Sequence, residues 1–198
     1  QHTGKKYDEA RLSQAMVDSQ EALRLFYEID KLRRTVPSPM PSEDHYSVII
    51  PELFMLGEKF AVDFYRMLYE EVKARVDNKM GVIPDEKYRL GWVGLPTWFN
   101  LGIFNYFEKF GAVFAIETTY HAGVPVQIDA SRPLEALAER AWLRAKELHR
   151  WGAEAEPEAA YSGGVMTHPP AQMVAQIVRD YKLDGILLHT TKSCRIIS

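Results

Sequence analysis

Cys194, the only thiol in the 198-residue sequence, follows the apolar run Gly185-Ile186-Leu187-Leu188-His189-Thr190 and sits between Lys192 and Arg195. Cations beside a thiol lower its pKa and favour the thiolate, the form that ligates metal or attacks electrophiles. A buried structural cysteine is the competing reading, but a place just past a strand favours the functional one. One cysteine excludes an internal disulfide framework and any metal site built only from this sequence's own thiolates. It also points to a reducing, cytoplasmic compartment.

His121 and His189 fall in loops that follow predicted strands, where an imidazole can move a proton near a bound ligand. Glu117 and Tyr120 share the first of these loops. A hydrogen-bonded loop or core residue is the commoner role for each of the four, and they stand as candidates beside that reading. Trp92 and Trp98 flank the turn Gly94-Leu95-Pro96, placed either to wall an apolar acyl pocket or to fill the core. Gly91-Trp92-Val93-Gly94 lacks the third glycine of a dinucleotide fingerprint, so no nicotinamide or flavin site is indicated. Gly163-Gly164 before His168-Pro169-Pro170 could present helix N–H groups to a phosphate, or simply start a helix with proline in its first turn.

These residues need a scaffold. Between Asp8 and Arg34, Leu12, Met16, Leu23, Phe26 and Ile29 recur at helical steps. Thr35 to Ser42 carries prolines 37, 39 and 41, which forbid helix and predict an extended, stiff linker outside the core. A second helix is predicted from Pro51 to Val76, with Leu56, Phe60, Phe64, Met67, Leu68 and Val72 on one face. Near residue 86 the pattern changes: strand at Tyr88 to Gly94, helix at Phe99 to Phe110, stop at Gly111, strand at Ala112 to Thr118. Helices follow at Pro133 to Trp151 and Pro170 to Tyr181, and then a short buried strand from Gly185 to Thr190. The order β-α-β-α-α-β predicts an α/β fold: an incomplete Rossmann-like open, mainly parallel sheet with flanking helices, preceded by a helical arm. The expected division is a helical region over 1–86, with its Pro-rich joint at 35–42, and a Rossmann-like domain over 87–198. In such sheets ligands collect outside the carboxyl ends of the strands, here Leu95 to Trp98, Thr119 to Gly123 and Thr191 to Arg195.

Charge narrows the partners. With 24 Lys+Arg against 27 Asp+Glu and a net charge of -3, the chain lacks the dense positive face that displaces counterions from nucleic acid. No apolar run approaches the roughly 18 residues of a membrane span, so neither nucleic acid nor membrane is expected as a partner. The start without a Met or a signal pattern, and the stop soon after an uncovered strand, give the expectation of a fragment of a longer chain, truncated at its C-terminal side.

Several stretches together resemble the 2-hydroxyacyl-CoA dehydratase and benzoyl-CoA reductase family. They are Arg89-Leu90-Gly91-Trp92 with Pro96-Thr97-Trp98, Phe104-Asn105-Tyr106-Phe107-Glu108, Glu117-Thr118-Thr119-Tyr120, and Asp184-Gly185 running to Lys192-Ser193-Cys194. The joint Arg33-Arg34-Thr35-Val36-Pro37-Ser38-Pro39-Met40 resembles the family's mid-chain connection, and with Glu86-Lys87-Tyr88-Arg89 it looks closer to the reductase subunits. The resemblance spans most of the sequence and covers the middle and later part of a family member.

The resemblance implies a subunit of an ATP-activated iron–sulfur enzyme. Such an enzyme acts on coenzyme A thioesters by low-potential electron transfer and ketyl-radical chemistry, ending in loss of a 2-hydroxyl or in reduction of an aromatic ring. It implies a 4Fe–4S cluster held by three cysteines, of which Cys194 resembles the last, the others being absent from this sequence. Lys192, Ser193 and Arg195 would then surround the cluster and tune its potential, although Lys192 and Arg195 read equally as surface charges. The implied partners are a sister subunit of the same family and an ATP-dependent iron–sulfur activator protein. A non-catalytic module for acyl-CoA binding or subunit pairing, without a cluster, is the alternative.

Overall fold

Asp8 accepts a hydrogen bond from the Arg11 backbone N–H at 3.0 Å and so caps the first helix, α1 (Glu9–Leu32). In the computed structural model, which describes residues 4, 6–120, 125–153 and 171–190, Met16, Leu25, Phe26 and Ile29 of α1 are buried. Leu25, Phe26 and Ile29 face α4 (Lys59–Asp77), which contributes Ala61, Val62, Tyr65 and Val72 to the same core. Ala22 and Ala61, both fully buried, keep this helix pair thin enough for the Phe26 and Tyr65 rings to meet across it at 4.9 Å, tilted by 32°.

The chain between these helices departs from the sequence reading in two ways. Residues 38–42 are buried throughout, so the proline segment is a packed wall and not an outlying linker. Prolines rule out helix, but they leave an extended backbone whose side chains can still be enclosed; Met40 joins the α1/α4 core, and Val82 N–H donates to Ser38 O at 2.8 Å. The single helix expected from Pro51 to Val76 is broken. Helix α3 (Ile50–Phe54) ends before Gly57, which turns the chain at φ +89° ahead of α4. Helix α2 (Ser42–Val48) precedes both, and its two turns are too few to show a period.

The α/β part follows the expected order: β1 (Tyr88–Val93), α5 (Ile103–Glu108), β2 (Ala112–Glu117), α6 (Pro133–Ala153), α7 (Ala171–Tyr181) and β3 (Gly185–Leu188). Among the described residues these strands form one parallel sheet in the order β2-β1-β3. Every residue of β2 is buried, as expected of a strand covered on both faces. Trp92, Phe104 and Phe114 meet edge to face at 4.9 to 5.8 Å and join β1, α5 and β2 into one aromatic core. Strand β3 is not the buried strand its composition suggests. Among the described residues it pairs with β1 alone, and Ile186 and Leu188 are 39% and 58% exposed. An all-apolar run cannot tell a covered strand from one with a bare side. No helix among the described residues is long and apolar enough to cross a membrane.

Because the strands are parallel, their carboxyl ends share one edge of the sheet. Gly94 makes that edge possible: its φ is +104°, and a Cβ there would lie 2.3 Å from the carbonyl oxygen of His189. Gly94→Ala is therefore expected to cost about 2 kcal/mol or more of folding stability, read from urea unfolding. A loss under about 0.5 kcal/mol would show that β1 and β3 are not held this closely.

Candidate functional site

Past the strand ends, the loops are sewn together by short polar bonds. Gly94 N–H donates to Thr118 Oγ1 at 3.3 Å, and Thr119 Oγ1 donates to Gly94 O at 2.8 Å. The Leu95 carbonyl accepts from Trp92 Nε1 at 3.0 Å and from His189 Nδ1 at 2.7 Å. A carbonyl can only accept, so the proton of His189 resides on Nδ1, and Nε2 is left as the basic nitrogen of the ring. The Trp92 indole, 5.4 Å from the imidazole, holds it in place.

Beneath this edge lies a buried ionic centre. Arg33, at the C-terminal end of α1, grips Glu117, the last residue of β2, through two bonds of 2.7 Å, with neither side chain exposed. The same guanidinium reaches Asp30 at 3.3 Å, His45 Nδ1 at 2.9 Å and Ser42 Oγ at 3.4 Å. Ser42 Oγ in turn donates to Phe114 O at 3.2 Å, and Tyr181 O–H donates to Asp30 Oδ2 at 2.7 Å. Burial raises the Glu117 pKa, but the charge of Arg33, helped by His45, outweighs it and holds the carboxyl below its usual range. For His45, burial and then Arg33 lower the pKa more than Glu117 raises it.

The donor at Nδ1 fixes the tautomer of His45. Arg33 offers N–H there, so Nδ1 is unprotonated and Nε2 carries the hydrogen, donating to Tyr120 O at 3.0 Å with Glu117 Oε1 at 3.2 Å. That bond holds Tyr120 at φ +66°, a left-handed conformation uncommon for a bulky residue and one that collects at functional sites. Asp30, His45 and Glu117 bring ligand atoms within 4.8 Å of one another. The Arg33 guanidinium already supplies the positive charge among them, so this is an arginine centre and not a metal centre.

Aromatic rings wall the same edge. Tyr46 of α2 meets Trp98 and Phe104 at 5.6 Å each, and Trp98 meets Tyr120 at 5.8 Å. Of the residues singled out in the sequence, Glu117, Tyr120, Trp98 and His189 gather at this edge, while Trp92 fills the core below. Trp98 is half exposed. His121, Lys192, Ser193, Cys194 and Arg195 lie outside the described residues, as do Gly163, Gly164 and His168. Asp30, Arg33, His45 and Tyr46 were not anticipated. His45 sits just after the proline segment, and its partner Glu117 lies far along the chain, so no local spacing joins them.

Fold and site together define an open α/β protein with a buried ionic centre and a cluster of aromatic rings at its strand ends. Along residues 1–198 the chain matches the family described as 2-hydroxyglutaryl-CoA dehydratase, D-component, and it belongs to that family. It is thus a subunit of a 2-hydroxyacyl-CoA dehydratase-type enzyme, one component of two, and a coenzyme A thioester substrate fits it. No curated protein matches the chain.

Removing one partner of the ionic centre strands a buried charge. Arg33→Met is expected to cost about 3–5 kcal/mol, and the double variant Arg33→Met/Glu117→Leu much less than the sum of the single losses in urea unfolding. Additive losses would show that the two side chains do not act as a pair.

Acid also acts here, with a definite sign. His45 is held neutral in the fold, and the unfolded chain takes a proton near the ordinary 6.5, so stability falls as pH drops below that value. Glu117, with its folded pKa depressed below the ordinary 4.5, adds a second loss as pH falls through its folded value. His45→Gln should flatten the upper part of the stability profile, between about 6.5 and 4.5. An unchanged slope there would remove His45 from the acid response.

Proposed function

We propose that this chain is a subunit of an ATP-activated iron–sulfur enzyme that removes the 2-hydroxyl of an acyl-CoA by low-potential electron transfer and ketyl-radical chemistry, in a reducing cytoplasmic compartment. Family membership over residues 1–198 carries the reading, and the aromatic rings and His189 at the strand ends support it. The family's described activity favours dehydration over aromatic ring reduction.

The cluster is only partly provided for. Iron–sulfur clusters take several cysteine thiolates, and this sequence has one, which does not make up a site. Asp30, His45 and Glu117 do not replace the missing ligands, being oxygen and imidazole donors already engaged by Arg33. Cys194 is therefore one ligand in this reading, with the rest from polypeptide outside this sequence.

What the chain's own residues do is bind, exclude water and move a proton. Trp98, Tyr120 and Phe104 give the acyl end apolar walls, which keep water from a reactive radical. His189, oriented through Nδ1, presents Nε2 as the proton carrier at the strand ends. A sister subunit and an ATP-dependent iron–sulfur activator protein complete the system in this reading.

Anaerobic purification of the protein with its partner subunit is expected to give a brown complex containing iron and acid-labile sulfide. Cys194→Ser should lose iron and turnover together; unchanged iron content would remove the ligand assignment. His189→Gln should lower turnover about 100-fold while acyl-CoA affinity stays within a few-fold, and equal turnover would free His189 of a proton-transfer role. A colourless, iron-free complex that still binds acyl-CoA would replace the enzyme reading with that of a binding module.

A further inference from the structure

Among the described residues three buried polar atoms have no hydrogen-bond partner, Arg33 Nε, Arg34 Nε and the Tyr46 hydroxyl, and of these only the hydroxyl is uncharged. Tyr46 is 1% exposed, yet its hydroxyl makes no hydrogen bond. A phenylalanine would fill the same space without leaving a donor unpaired, and a buried donor with no acceptor costs free energy. Burial and the negative charge of Glu117 push the ionisation of Tyr46 upward, against a smaller opposing effect of Arg33, so the group stays O–H and can only be satisfied as a hydroxyl.

The surroundings select the acceptor. The ring is enclosed by Trp98 and Phe104, and α2 is fastened to β2 and the loop after it by the bonds from Ser42 to Phe114 O and from His45 to Tyr120 O. Arg33, the cation whose field reaches the phenol, is already shared among Glu117, Asp30 and His45. A phosphate or carboxylate would be buried here beside Glu117 without a cation of its own. A neutral carbonyl oxygen carries no such penalty. The half-exposed Trp98 ring, touching both Tyr46 and Tyr120, is the part of this aromatic cluster nearest solvent.

We propose that the Tyr46 hydroxyl is the hydrogen-bond donor of an acyl subsite walled by Trp98, Phe104 and Tyr120, and that it takes the carbonyl oxygen of a coenzyme A thioester. The assignment rests on the acyl-CoA reading given above and adds to it the residue that recognises the thioester itself.

Two probes isolate that carbonyl: glutaryl-CoA, and its thioether counterpart with CH₂ in place of C=O. Calorimetry on the protein in complex with its partner subunit should show the thioester bound about tenfold tighter than the thioether. Tyr46→Phe should bring the two within about twofold without lowering the urea midpoint of unfolding. A variant that keeps the tenfold margin overturns the proposal, as does one that unfolds at markedly lower urea, which would mean the hydroxyl already has a partner in the fold. Wild-type complex that binds both probes equally overturns this inference and leaves the acyl-CoA reading standing, whereas wild-type complex that binds neither overturns both.

Discussion

The pairing of Arg33 with Glu117 is the contact on which the strand-end edge depends. Both side chains are wholly shielded from water, so each would be severely destabilised alone, and the geometry that relieves one relieves the other. The pair joins the end of the first helix to the end of β2, the strand buried along its whole length. A displacement of either element by even an ångström or two would trade two 2.7 Å bonds for an isolated charge, so the centre penalises sliding far more steeply than apolar packing alone would.

From that pair the order spreads outward along single bonds. Arg33 decides which nitrogen of His45 is protonated, His45 then holds the Tyr120 carbonyl, and Tyr120 accepts a left-handed backbone in consequence. Asp30, on the other side of the guanidinium, takes the Tyr181 hydroxyl and so ties α7 to α1. A second buried arginine, Arg89, runs parallel to this, donating to Tyr181 O, Arg33 O and Glu86. The catalytic-looking edge is thereby held from below by groups that never need to touch a ligand.

Much of this architecture is legible in the sequence, because periodicity and glycine stops report local structure directly. The helices α1, α6 and α7, the β-α-β unit and the strand-end loops containing Trp98, Tyr120 and His189 can all be read there. The break at Gly57 is visible only in hindsight, since the apolar period runs on across it. The proline segment misleads because its residues forbid helix equally well in a linker and in a packed wall. Arg33, His45 and Tyr46 escape notice for a deeper reason. Their role comes from meeting β2, residues far along the chain, and no window of sequence contains both sides of that encounter. The resemblance stretches Pro96-Thr97-Trp98 and Glu117-Thr118-Thr119-Tyr120 do mark the right edge of the sheet, although not what lies beneath it.

The Leu95 carbonyl serves two rings at once, the indole of Trp92 and the imidazole of His189. An oxygen has two lone pairs, and here both are taken, so the atom works as a latch with two bolts. Proline at the next position stiffens the backbone behind it. A shift of the turn therefore disturbs both rings at once, which ties the imidazole to the aromatic core beneath it.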